Sequence, residues 1–327
     1  MNNQINLDEF CCQASQSNGE QICGTAAQVH VWFALEYVEP WGVKAVPESD
    51  LSTKIKDYLM GLGGAYPHTR VQFIKRDAAE IRTQKAANFP SVDSSATLFV
   101  GVAKSETSQP ALYRFALTTY DELLALDLGG VIAGDSQYDA NRYDEPIFLV
   151  CTNGKRDRCC AKWGLPVYDA MADYAGENVW QTTHIGGHRF APTLVCLPHG
   201  IVYGRVGLDD VQPIVDASRQ NEMIDLSYYR GNGTYPSVAQ AAEYFLRMKT
   251  GNLTLGEYAL GEVRNGEVTD DDAQNPVWRV GFTTVNGANE RYEIKLARVQ
   301  SAFATIGSCE KPATPVPQYE LLEIATA

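Results

Sequence analysis

The sequence predicts an α/β protein: two βαβββα segments followed by a small α+β extension. Three observations predict it. Short β-branched and aromatic runs alternate with segments of helical period, the same element order is met twice, and a helix followed by a hairpin pattern closes the chain.

In the first segment a strand is expected around VHVWFALEYV (29–38) and a helix around SDLSTKIKDYLMGL (49–62). Strands follow at RVQFIK (70–75), TLFVGVA (97–103) and ALYRFAL (111–117), then a short helix at TYDELLAL (119–126). The second segment repeats the order. PIFLVC (146–151) is a strand, LPVYDAMADYA (165–175) a helix with Pro166 near its start, and NVWQTTH, TLVCLP and IVYGRV are strands. LDDVQPIVDASRQ (208–220) closes it as a helix with Leu208, Val211, Ile214 and Val215 on one face. No residue-level repeat relates the halves, so a duplicated unit rests on element order alone. A strand, crossover helix and strand implies a right-handed parallel connection, and the later strand pair completes a small sheet of thioredoxin type.

Residues 218–236 are polar and turn-rich and read as a connection. Ser237 is placed to cap a helix, SVAQAAEYFLRMKT, that Gly251 ends. PVWRVGFTTV and RYEIKLARV alternate around NGAN, a hairpin signal, and DDDAQNP (270–276) reads as a solvated acidic loop. The expected domains are 1–143, 144–232 and 233–327.

At 327 residues, 45% apolar and 20% charged, the chain is globular and long enough for two domains. A formal charge of −13 disfavours nucleic acid and acidic membrane, and makes a partner with a basic docking surface electrostatically favourable. The start, MNNQINLDEF, lacks the pattern of a secretory leader, and no apolar run approaches the roughly 20 residues that span a bilayer. A soluble, cytoplasmic protein is expected. Eight cysteines spread over so long a chain read as thiols and metal ligands rather than a disulfide framework.

Three of the eight cysteines and two of the five histidines lie in CTNGKRDRCC (151–160) and HIGGH (184–188). Thiolate and imidazole suit a transition metal better than magnesium or calcium. Cys151 ends an apolar strand, where α/β folds place their sites. The loop amides and the guanidinium groups of Arg156 and Arg158 can offset negative sulfur, and Asp157 can hold an arginine or the loop backbone. Gly186 and Gly187 permit positive φ, so a tight loop can turn His184 and His188 toward one centre. Cys11, Cys12, Cys23, Cys196 and Cys309 read mainly as packed or free thiols, Cys196 within an apolar strand.

These motifs, with HIGGHRFAPTLVCLPHGIVYGRV, the N-terminal CC and GTA, YRGNGTYPSVAQAAE and a late SC, resemble the sucrase/ferredoxin-like proteins, a branch of the thioredoxin-like [2Fe-2S] ferredoxins. The resemblance covers most of the chain. It implies a cluster held by two cysteines and two histidines, with Cys151 as first ligand and His184 and His188 as the histidine pair. The family's second cysteine, with eight residues between it and the first, falls on Cys160, while Cys159 beside it stays open as an alternative. Arg156 and Asp157 match the family's Arg-Asp pair. The expected function is a one-electron carrier serving a redox partner protein. Imidazole ligands raise the potential above that of plant-type ferredoxins, about −400 mV, and couple electron uptake to proton uptake. A structural zinc site on the same ligands is the alternative. A thiol oxidoreductase using Cys159 and Cys160 would need a strained vicinal disulfide. Sucrose cleavage, suggested by the family label, needs a carboxylate pair that no local motif singles out.

Overall fold

The computed structural model describes residues 10–76, 96–107, 109–265, 275–286, 289–309 and 311–326. Two compact units divide it: a central unit, Val29–Ile185 with Leu194–Gly200, and a terminal unit, Met1–Gln28 with Gly186–Thr193 and Ile201–Ala327. The expected MNNQINLDEF start, save Phe10, and most of DDDAQNP lie outside the described residues. Helix α1 (Cys11–Ser17) belongs to the terminal unit.

In the central unit, β1 (Val31–Glu36), α2 (Thr53–Ala65) and β2 (Thr69–Lys75) form a crossover in which the strands pair in parallel. Helix α2 starts where Ser52 Oγ accepts the Ile55 amide, and it buries Ile55, Leu59 and Leu62, one face at helical spacing. β3 (Ala96–Val102) lies antiparallel to β1, and β4 (Ala111–Leu117) antiparallel to β3. The helix expected over TYDELLAL is a 3-10 helix, Tyr120–Ala125, opened by a Thr119–Glu122 capping box. It stays short because Asp127 captures the Gly130 amide and starts α3 (Leu128–Ala133), which Gly134 ends at φ +77°.

The same connection recurs. β5 (Ile147–Cys151) and β6 (Val179–Thr182) are parallel, with α4 (Arg158–Ala175) between them, and β7 (Thr193–Leu197) is antiparallel to β5. β2 meets β6 antiparallel at Ile74↔Thr182, which gives the run β4-β3-β1-β2-β6-β5-β7. Helix α4 begins earlier than its apolar period suggested, so Pro166 lies inside it rather than near its start. A proline's fixed φ is already helical, and the missing amide costs one bond.

In the terminal unit, β8 (Ile201–Gly204) precedes α5 (Val211–Arg219), whose buried face is Val211, Ile214 and Val215. Leu208 lies ahead of that helix and is exposed, contrary to expectation, because Asp210 rather than an earlier residue is the N-cap. The supposed connection contains a strand, β9 (Tyr229–Asn232), antiparallel to β8. Helix α6 (Ser237–Thr250) ends at Gly251 as expected, but Pro236 holds the cap position and Ser237 is the first helical residue. A proline at that point fixes extended backbone at φ −66°, ψ 155°, so the helix turns inward one residue later. β10 (Tyr258–Asn265), β11 (Val277–Thr284), β12 (Arg291–Ile306) and β13 (Ala313–Thr326) form an antiparallel sheet in chain order. The β11–β12 hairpin is the expected one; β10 and β13 are additions. Cys23, Ala239, Ala242 and Leu246 pack on Val280, Phe282, Ile294 and Leu296. All eight cysteines are thiols. No described helix is long and apolar enough to cross a membrane.

Candidate metal centre

Strand β5 carries Cys151 to its carboxyl end, where the thiol is buried. The loop then closes on itself: the Asn153 carbonyl accepts the amides of Arg156 and Asp157, and Asn153 Nδ2 donates to the Gly42 carbonyl at 3.2 Å. Asp157 ends the loop by accepting the Cys159 amide at 2.9 Å, which caps α4. Helical side chains advance about 100° per residue, so Cys159 and Cys160 cannot serve one target equally. Cys160 is the one that joins Cys151 and His184. The ligand atoms of these three residues lie within 4.8 Å of one another, with Cys160 Sγ 3.9 Å from His184 Nδ1. Gly164, one turn beyond Cys160, permits this approach: a Cβ there would stand 2.2 Å from the Cys151 carbonyl oxygen.

His184 follows β6. Its backbone is held by Arg70, whose Nη2 donates to the His184 carbonyl at 2.8 Å, and by Thr183 Oγ1, which accepts the Phe73 amide. The electrostatics drive the two thiols in opposite directions. The Cys160 thiol donates to Cys151 and draws it well below its ordinary 9.0, outweighing burial, with help from His184 and the Ile185 amide. Cys160 itself is pushed upward by that same bond and by burial. Burial pulls the Arg70 guanidinium down, and the charge on Cys151 opposes this.

The glycines and the second histidine belong to the terminal unit. Gly186 and Gly187 adopt φ +95° and +71°. Gly187 has no room for a side chain, since a Cβ would lie 2.3 Å from Arg230 Nη2. Arg230, 1% exposed, donates to the Gly186 carbonyl at 2.9 Å and to the Thr25 carbonyl at 2.7 Å. His188 opens a 3-10 turn, and its Nε2 is 2.8 Å from the Gly307 carbonyl oxygen. A carbonyl only accepts, so Nε2 carries a proton, and in the neutral ring the lone pair is on Nδ1. Nδ1 is also the atom His184 turns toward Cys160.

Arg156 in the loop and Arg158 at the first position of α4 are exposed, while Asp157 between them is buried as the helix cap. The cations that hold the two histidine segments are Arg70 and Arg230, which the sequence reading did not single out. A lone arginine on a strand, or within YRGN, carries no local sign of its partner; the contacts exist only once β2 has paired with β1 and β9 with β8.

A family model described as sucrase/ferredoxin-like matches residues 22–231. The chain belongs to the sucrase/ferredoxin-like family. The matched span holds Cys151, Cys160, His184, His188, Arg70 and Arg230, and ends before α6 and the β10–β13 sheet. Among curated proteins, one relative is "Altered inheritance of mitochondria protein 32" of Meyerozyma guilliermondii. It is 32% identical over 106 residues, 29% of this chain and 37% of that protein, so the match spans little more than a third of that relative's length. No solved structure matches the chain significantly.

Proposed function

We propose that this sucrase/ferredoxin-like chain binds a [2Fe-2S] cluster through Cys151, Cys160, His184 and His188 and serves as a one-electron carrier. The observation that supports it most is the convergence of two buried thiols and an imidazole nitrogen within 4.8 Å, at the carboxyl end of a strand. The donor set fits the group. Thiolate and imidazole are soft and borderline ligands, and ligation requires the cysteines to lose their protons. Cys151 is already drawn toward the thiolate, and the half-buried Arg70 places a positive charge near it. For His188, the Gly307 carbonyl is the outer partner that a ligating imidazole commonly has, fixing the tautomer that leaves Nδ1 for metal. Gly186 and Gly187 give the loop its turn, Asp157 sets the start of the helix that carries Cys160, and Arg156 presents its charge to solvent.

When bound, the cluster supplies a one-electron redox centre. The chain's part is to hold it with two neutral ligands, which raises its potential above that of an all-thiolate site. The repeated connection, β1-α2-β2 with β3 antiparallel to β1 and β5-α4-β6 with β7 antiparallel to β5, supports a thioredoxin-like reading of both halves. The net charge of −13 favours a redox partner with a basic docking face, and eight thiols suit a reducing compartment such as the cytoplasm.

One observation favours a second reading, a single zinc ion. With Zn–S about 2.3 Å and Zn–N about 2.0 Å, ligand atoms around one tetrahedral ion stand about 3.3–3.8 Å apart, close to the 3.9 Å between Cys160 Sγ and His184 Nδ1. Iron and zinc analysis of Cys160→Ser and Cys159→Ser, purified anaerobically, separates the possibilities. The proposal expects iron lost from the first and kept by the second. Zinc in place of iron throughout selects the second reading, and iron lost only from the Cys159 variant overturns the ligand assignment.

A further inference from the structure

We propose that Cys11 and Cys309 form a reversible thiol–disulfide pair, oxidised by a low-molecular-weight disulfide such as glutathione disulfide. Both residues belong to the terminal unit, and both lie outside the family-matched span, 298 positions apart. Their sulfurs stand within 4.8 Å of each other, and the Cys11 amide donates to Cys309 Sγ at 3.4 Å.

Hydrogen bonds on both sides of the pair hold the N-terminal segment and the β12–β13 hairpin together, which keeps the two thiols close. Asn18 Nδ2 donates to the Ala304 carbonyl at 3.1 Å. Gln21 bonds β13 three times: its amide donates to Gln318 Oε1, its Nε2 to the Tyr319 carbonyl, and its Oε1 accepts the Tyr319 amide. The N-terminal helix is thereby fastened to the β12–β13 hairpin before any covalent link forms. Cys12 is a poorer partner, because it lies about 100° further round α1 than Cys11.

Exposure assigns the two roles. Cys309 is partly exposed and Cys11 is fully buried, so Cys309 meets the oxidant and Cys11 resolves it. The Cys309 thiolate attacks one sulfur of glutathione disulfide and displaces one glutathione thiolate. The Cys11 thiolate then attacks the Cys309 sulfur of the mixed disulfide and displaces the second. Two protein thiols are oxidised by two electrons, the oxidant becomes two glutathione thiols, and the two protons pass to the departing thiolates. The link closes two residues after Gly307, whose carbonyl holds His188 Nε2, so it fixes the turn behind that histidine.

The test is a thiol map of the full chain as purified. The protein is incubated with glutathione disulfide, quenched with N-ethylmaleimide, digested without reductant and read by mass spectrometry. A Cys11–Cys309 linked peptide that dithiothreitol removes, and that persists in Cys12→Ser, supports the proposal. Cys309 recovered only as its glutathione adduct, alkylated, or linked to Cys12 or Cys159 overturns it.

Discussion

Replacing Gly164 with alanine sets two effects against each other. In an exposed helix interior the change gains up to about 1 kcal/mol, because alanine is the better helix former. At Gly164 the new Cβ would lie 2.2 Å from the Cys151 carbonyl oxygen and 3.3 Å from its carbon. Both contacts are backbone, so no rotamer relieves them. To reach even 3.0 Å the helix or the strand end must retreat by about 0.8 Å, and overpacking of this kind costs about 1–3 kcal/mol. With so close a backbone contact the upper figure applies, for a net loss of about 2 kcal/mol after the propensity gain. At a urea m-value of about 3 kcal/mol per M, the unfolding midpoint falls by about 0.7 M. Gly61 in α2 is the control, since a Cβ there meets nothing within 4 Å. Gly61→Ala should raise stability by about 0.5–1 kcal/mol. Urea unfolding followed by far-UV circular dichroism measures both. A Gly164→Ala protein as stable as Gly61→Ala would refute the seating of α4 against the end of β5.

Other perturbations follow from the same contacts. Glu243→Ala strands Arg247, which is 2% exposed and bonded to Glu243 Oε1 at 2.9 Å; a loss of about 3–5 kcal/mol is expected in urea melts, partly recovered when Arg247→Met is added. Burial pushes the Cys23 thiol from 9.0 up to about 12, so the folded chain keeps a proton that the unfolded chain gives up. That contribution is whole below pH 9 and declines as pH rises toward 12, and Cys23→Ala should flatten the alkaline fall of the urea midpoint. If the histidines are ligands, the potential shifts with pH between about 6 and 10 and His188→Cys lowers it, both read by voltammetry; a flat potential would count against histidine ligation.

The strands of the central unit were legible because each is an apolar run bounded by turn residues, as in VWFALE and IFLVC. The β11–β12 hairpin was legible from alternation around NGAN. β9 was not, because YRGN has a low strand propensity of its own and becomes a strand only by pairing with β8. β13 was hidden for a similar reason: its 14 residues include Pro315 and Pro317, which an edge strand tolerates where no ladder amide is needed. At the candidate centre, local spacing pointed to the cysteine loop and the paired glycines, since a strand end, a cap and positive φ are properties of adjacent residues. Arg70 and Arg230 reach the histidine segments across 114 and 44 positions, and no local pattern encodes such contacts. The opposite shifts of Cys151 and Cys160 are equally a product of folding.

The central claim concerns what the Cys151–Cys160–His184 group and His188 hold. Anaerobically purified protein, assayed in one preparation for iron, acid-labile sulfide and zinc and examined by EPR after dithionite reduction, tests it most directly. The account predicts two irons and two sulfides per chain and a spin-one-half signal on reduction. One zinc per chain, with neither labile sulfide nor a signal, would contradict it.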